Sequence, residues 1–401
     1  MEATNGTSKI NVLRSTDTLL DGPSEQNHVA HPYFPTYKSL SKSTWELWIF
    51  DAVDASANCA VTMSFFLEGP QIFMKKLPLR ATFQASMPDG SNIRAEDFAR
   101  ETISEIDEAA GVVRTKMLSE KFSDDNCSVT SEVALDLSHA TVTFDIPAVK
   151  GTLKLKSMRT GHARSSVPHS GTGTGEEKQV AMAPTCYYVH SFPRAVAEAD
   201  FTFPEAENGE GEEKGRSIKF GGYGGSDHTF MTAPTPVIMD ECTYVHGHVG
   251  PYSVNLMRIG SRPAGGEFKI KVTIVHDHDG VVFECISDDS PSLNENSVVL
   301  RLSQGGNVRG NFSDTSTGYK LDCLSPASGK HWKFDIRHNK LWWSMPTAPP
   351  PAKTGNNGFV SLISGGEVGG EQYEGSATTG HVQLPFKKSE YTGFNNRDHT
   401  K

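Results

Sequence analysis

Most signatures that betray a chemistry are missing from this sequence. No GxGxxG opens a helix, no GKS/T loop is present and GxSxG finds no match, which argues against nucleotide cradling and against an α/β-hydrolase elbow. Its six cysteines (Cys59, Cys127, Cys186, Cys242, Cys285 and Cys323) are scattered through 401 residues without a CxxC pair, so they read as buried thiols rather than a disulfide framework. No stretch approaches about 18 apolar residues, so no membrane span is expected. The start, MEATNGTSKI, has no apolar core of the signal-peptide kind, and a soluble cytoplasmic protein is expected, its sequons at Asn5, Asn126 and Asn311 unglycosylated. Positive charge is also short: 38 Lys and Arg against 48 Asp and Glu give a net charge of −10. That balance argues against nucleic acid or an anionic membrane as partner.

What is present points to strands. There are 37 Gly and 22 Pro with only 36% apolar residues, the composition of thin β layers joined by many turns. The length suits two domains or three. Residues 1–31 read as a polar leader. In WELWIFD (Trp45–Asp51) a strand puts Trp45, Leu47, Ile49 and Asp51 on one face and Glu46, Trp48 and Phe50 on the other. Each face is apolar but for one carboxylate, and a buried carboxylate needs a partner or a purpose. Arg94–Gly111 is the one helix candidate, from the spacing of Phe98, Ile103 and Ile106. The segments 160–179 and 205–214 read as polar, solvated inserts, and Phe220–Met239 as a Gly- and Pro-rich domain junction. About five strands beyond it, joined by three from the His331–Gly380 stretch (KFDIRH, KLWWSM and GFVSLIS), would suffice for an eight-stranded barrel.

Candidate reactive groups are few. His246 and His248 share a strand face, as do His276 and His278, and either pair could begin a zinc site if a third ligand arrived. The HDHDG string runs into a turn, so exposed hairpin histidines are the plainer reading, and no metal is assigned. Asp51 and Glu46 point to opposite faces and form no acid–base dyad. Near the end, Trp342 and Trp343 precede three prolines (Pro349–Pro351), a stiff loop that could wall a pocket for a flat apolar ligand or simply edge a sheet.

Several strings agree in order with one family. TWELWIFD, YYVH, VGPYSVNLMRI, GYKLDC, WKFDIRH, the W-S-x-P-T run at Trp343, TGNNGF and GGEVGGEQYEG resemble the fungal lipocalin-like Diels–Alderases, decalin synthases of polyketide–tetramic acid pathways related to the hydroxyneurosporene synthase-like group. The resemblance spans about residues 32–386. It implies an all-β protein with little helix: a β-sandwich-like domain at 32–230, a lipocalin-like β-barrel at 231–390, a polar tail at 391–401 and a pocket between the two domains. It also implies no cofactor, a linear polyenoyl tetramic acid as substrate, an intramolecular [4+2] cycloaddition, and a functional link to a polyketide synthase–peptide synthetase hybrid.

By the same resemblance Asp51, Gln84, Tyr244, Trp343 and Asn356 are the catalytic candidates, and Trp45, Leu47, Ile49, Phe66, Thr82, Phe230 and Thr235 line the substrate. Ile49, Thr82 and Thr235 depart from the residues relatives carry, so the polar lining differs. Two other readings stay open: a non-catalytic carrier of an apolar polyene, and an isoprenoid hydratase or isomerase using Asp51 or Glu46 as its acid.

Overall fold

The computed structural model describes residues 9–27, 31–69, 77–121, 127–158, 180–204, 215–263 and 265–384. The inserts expected at 160–179 and 205–214 and the tail 391–401 lie outside them, as do the sequons at Asn5 and Asn126. Twelve strands make the first sheet: β1 (Lys9–Arg14), β2 (Trp45–Asp54), β3 (Ala60–Glu68), β4 (Leu79–Ser86), β5 (Asn92–Asp107), β6 (Val112–Ser119), β7 (Ser128–Ala134), β8 (His139–Ile146), β9 (Val149–Ser157), β10 (Ala181–Ala183), β11 (Cys186–Phe203) and β12 (Arg216–Met231). They run β5-β4-β3-β2-β12-β11-β9-β8-β7-β6, and β6 pairs back onto β5, so the sheet closes on itself. The sandwich-like layering expected of the first half is thus two walls of one barrel. Phe83 fills it, 4.8 Å from Phe201 and 5.5 Å from Phe144 between ring centroids.

β5 is the segment expected to be a helix. Its inward positions are Ala95, Asp97 and Ala99, then Thr102, Ser104 and Ile106 after a bulge between Ala99 and Glu101. Small and polar residues on the inner face, with a one-residue slip midway, hide the period of two and leave an accidental helical spacing. The stretch expected as a polar leader supplies one strand, and the residues just after it pack against the first sheet. β1 pairs with β5, Tyr33, Phe34, Tyr37 and Leu40 are buried, and the Trp48 indole donates to the Pro32 carbonyl at 2.7 Å. Glu46 turns toward this strap, accepting from the Thr36 amide and from His228, each at 2.8 Å.

Most of the expected junction is strand: Phe220–Met231 belongs to β12. Gly222 and Gly224 lie so tightly on β2 that a Cβ would collide with the carbonyls of Val53 and Asp51. The change of sheet comes between Met231 and β13, through one helical turn, α1 (Thr235–Ile238). β13 (Met239–Val249), β14 (Tyr252–Ser261), β15 (Glu267–His276), β16 (Gly280–Asp288), β17 (Ser297–Ser303), β18 (Gly318–Ser325), β19 (Lys330–Pro346), β20 (Gly355–Glu367) and β21 (Tyr373–Gln383) form the second sheet, in the order β16-β15-β14-β13-β21-β20-β19-β18-β17. All nine come from the second half. The three strands expected from the His331–Gly380 stretch fall in this sheet as well, KFDIRH and KLWWSM as the single long strand β19 and GFVSLIS within β20. A core of Leu256, Val272, Tyr319, Trp332 and Phe334 fills the interior.

The barrels dock along β2, β11 and the ends of two hairpins. Asn255 Nδ2 donates to the Pro193 carbonyl at 2.8 Å, and Arg194 pairs with Asp277 at 2.7 Å. Bulges at Asn339 and Trp342 in β19 turn that strand toward the first barrel, where Asn339 donates to the Ala57 carbonyl at 3.1 Å. Trp342 is buried there with Val53, Ala57, Ala60 and Val360. Trp342→Ala should empty this contact and lower the unfolding free energy by roughly 3–5 kcal/mol, read as a drop in the urea midpoint.

Candidate active site between the barrels

The outward face of β2 carries Trp45, Leu47 and Ile49, all half-buried, and then Asp51, which is 2% exposed. Register extends that face sideways: Asp51 lies opposite Thr62 and Thr62 opposite Gln84, Ile49 opposite Ser64 and Ser64 opposite Thr82, and Leu47 opposite Phe66. Facing it is the outer side of the second barrel. There Tyr244 of β13 stands beside Gly380 of β21, Gly380 beside Gly358 of β20, and Gly358 beside Trp343 of β19. Trp45 and Tyr244 pack on one cluster that includes Cys186, Tyr188, Met231 and Met257. Apolar side chains left half-buried on facing sheets are a surface that an apolar ligand could cover.

The closed end of the cleft is polar. Asp51 Oδ2 accepts from His246 Nδ1 at 2.9 Å and from Thr378 Oγ1 at 2.5 Å, and Oδ1 accepts from the Gly225 amide at 3.2 Å. The other ring nitrogen of His246 meets Asp227 Oδ2, which also accepts from the Tyr188 hydroxyl. Asp227 Oδ1 lies 3.2 Å from His190 Nδ1. Burial alone would push His246 down, yet the carboxylates of Asp227 and Asp51 raise it well above the usual 6.5. Burial likewise opposes ionisation of Asp227, but His246 and His190 hold its carboxyl below the usual 3.8. Burial keeps His190 below its usual value despite Asp227. The arrangement is therefore one imidazolium from the second barrel clasped by two carboxylates of the first.

Among the described residues His190, Asp227 and His246 also form a group whose ligand atoms lie within 4.8 Å of one another. Two histidines and a carboxylate could bind a transition metal. The protonated reading accounts for more here, since both nitrogens of His246 point at carboxylate oxygens and each then donates. His248, the residue paired with His246 as a zinc candidate, stays out: it stacks on Tyr223, centroids 5.3 Å apart.

Ten of the twelve expected site residues share the two facing surfaces. Asn356 sits one row beyond Gly358, and its Oδ1 accepts from the Trp343 indole at 2.8 Å, leaving the amide nitrogen to donate elsewhere. The Gln84 Oε1 is enclosed without a hydrogen-bond partner. Phe230 is a correction. It lies beside Glu46 on the opposite face of the sheet, fully buried and stacked on Tyr187 at 5.0 Å, because strand parity turns it away from Asp51. Thr235 sits in α1, on the link rather than on either facing sheet. Tyr188, His190 and Asp227 were missed; the signal was the i, i+2 pair in YYVH, which places Tyr188 and His190 on one strand face.

Two antiparallel barrel-like sheets with half-buried apolar side chains between them make a lipocalin-like arrangement. A family model described as Diels-Alderase-like matches residues 7–385. The chain belongs to that family and is an enzyme of its pericyclic class. It is 38% identical over 361 residues to Diels-Alderase mpsD of Macrophomina phaseolina, covering 88% of this chain and 85% of that one. It is 28% identical to Diels-Alderase fsa2 of a Fusarium species, covering 88% and 91%. A crystal structure of CghA with Sch210972 superimposes with a TM-score of 0.79 at 25% identity, covering 94% of this chain and 98% of that one.

The clasp has a pH signature. His246 is raised, so its contribution is complete below its usual 6.5 and is lost as pH climbs through its folded value. His381, raised to about 9 by Asp314 and Glu241 against its burial, is lost in the same direction. Asp227, being lowered, contributes above its usual 3.8 and fades only in acid. The melting temperature should fall as pH rises from 7 through about 9 and beyond. His246→Gln should cost roughly 3–5 kcal/mol at pH 7 and weaken the alkaline decline, measured by thermal melts across pH.

Proposed function

We propose that the protein folds a linear polyenoyl tetramic acid between its barrels and catalyses an intramolecular [4+2] cycloaddition to a decalin. The observation that carries this reading is the half-buried aromatic and aliphatic lining, set between sheets of a chain that matches the Diels–Alderase-like family almost end to end. A concerted cycloaddition forms two carbon–carbon bonds and transfers no proton, so it needs neither a nucleophile nor an acid–base pair. It needs diene and dienophile held in one orientation, an effect worth up to roughly 7–11 kcal/mol.

Trp45, Leu47, Ile49 and Phe66 supply one wall, Tyr244 and Trp343 the other. Asn356 and Gln84 are the polar groups able to meet the tetramic acid carbonyls. A hydrogen bond from Asn356 Nδ2 to a carbonyl conjugated with the dienophile would lower its electron density and add a smaller electrostatic contribution. The hydratase reading loses its acid. Glu46 faces the N-terminal strap, and the carboxylate oxygens of Asp51 are taken by Gly225, His246 and Thr378. All six cysteines are unpaired, in keeping with a reducing, cytoplasmic setting beside a polyketide synthase–peptide synthetase hybrid that would release the linear precursor.

Incubation with a linear polyenoyl tetramic acid should give one dominant decalin diastereomer by chromatography; binding without conversion would make the protein a carrier instead. Turnover should survive exhaustive chelation. Loss with EDTA and recovery with zinc would reassign His190, Asp227 and His246 as metal ligands.

Trp343 and Asn356 should not be separable. Because Asn356 anchors the indole, Asn356→Ala should loosen Trp343 as well as remove a donor. The double variant with Trp343→Phe should then fall short of the summed single losses by about 0.5–3 kcal/mol in transition-state energy.

A further inference from the structure

The row Trp343–Gly358–Gly380–Tyr244 crosses four neighbouring strands, with two glycines side by side between two aromatic residues. Neither glycine has a positive φ, so neither is there for a turn or a left-handed backbone. What each one lacks is a side chain, and the space is taken by a ring. A Cβ on Gly358 would fall inside 3.0 Å of the Trp343 indole, and a Cβ on Gly380 inside 3.0 Å of the Tyr244 ring. Side chains on a strand ordinarily stand off the sheet. These two instead lie down over the glycines from opposite sides, and Asn356 holds the indole by its N–H.

The neighbouring rows differ. On one side are Cys242, Val382, Asn356 and Met345, on the other His246, Thr378 and Val360, and every one of these carries a side chain. The flattened row is therefore a recess with raised edges, and consecutive same-face rows lie roughly 6–7 Å apart. That width admits one hydrocarbon chain or ring, and its floor is the two rings that cover Gly358 and Gly380.

We propose that Gly358 and Gly380 are specificity-determining residues. By letting Trp343 and Tyr244 lie flat, they form the floor on which the conjugated diene rests, and so decide which face of the diene the dienophile meets. The proposal rests on the cycloaddition reading above. An aromatic ring covering a glycine can also serve only to stabilise a sheet. The same protein offers a contrast: Gly250, at the β13–β14 turn, also has a position where a Cβ would strike a ring, that of Tyr373, but its positive φ already requires glycine. It lies six residues along from Tyr244, about 20 Å of strand, and outside the cleft.

The test uses the full chain and a linear polyenoyl tetramic acid, with diastereomer ratio and total turnover read by chromatography. Gly380→Ala and Gly358→Ala should each shift the ratio by about tenfold toward the uncatalysed mixture, with a smaller change in turnover. Gly250→Ala should lower the melting temperature and leave the ratio unchanged. Should the cleft variants fail to fold, Tyr244→Leu keeps both glycines and removes one plate, and it should move the ratio likewise. A wild-type ratio from folded Gly380→Ala and Gly358→Ala, or from Tyr244→Leu, would overturn the inference, as would an equal shift from Gly250→Ala. No conversion by the wild-type protein would overturn the cycloaddition reading itself, and this inference with it.

Discussion

His246 is a cation from one barrel held between two carboxylates of the other, and the relative placement of the barrels depends on it. Withdrawing three such charges from water is expensive, and the attraction among them repays that cost only where every donor and acceptor is matched. Here the matching is close to complete: Thr378 and the Gly225 amide complete Asp51, while Tyr188 and His190 complete Asp227. Lys271, buried on β15, reaches the Tyr188 carbonyl at 3.4 Å and brings a second positive charge to the group. A contact this demanding tolerates little sliding. It fixes β2 against β13 and β21, and with them the gap between Ile49 and Tyr244.

The division of labour that follows is unusual for an enzyme. The titratable groups with strongly shifted ionisation are walled in, and they act on the architecture. The side chains left half-buried between the sheets are Trp45, Leu47, Ile49, Phe66, Tyr244 and Trp343, none of which can transfer a proton near neutrality. Shifted pKa values ordinarily point to the reacting centre. In a pericyclase they point to what holds the walls apart, because the chemistry lies in the substrate's own π-electrons.

How far the sequence could be read follows the same division. The alternation in WELWIFD placed Trp45, Leu47, Ile49 and Asp51 on the correct face, because a strand covered on both sides keeps strict parity. β5 could not be read so, since its inner face is Ala, Asp, Thr and Ser and a bulge breaks its period. The buried clasp was invisible for a different reason. Asp51, His190, Asp227 and His246 are far apart in sequence, and only the pairing of β2 with β12 and the docking of β13 bring them together. Phe230 failed on parity: one residue from Thr229, it points to the opposite face. Family resemblance singled out Asp51 but not the partners His246 and Asp227 that complete the clasp around it.

The tolerance required of such walls can be stated. Tenfold selectivity between two folded forms of one polyene corresponds to about 1.4 kcal/mol between two transition states, less than the loss expected from one misplaced aromatic wall. A side chain free to change rotamer would blur that difference. Trp343 is fixed from two directions, by Asn356 at its nitrogen and by Gly358 beneath its ring, and Tyr244 by Gly380 beneath its own. The opposite wall is β2, pinned at Asp51. Rigidity at the clasp sets the separation of the sheets, and the absence of two Cβ atoms sets the shape of one surface; neither can substitute for the other.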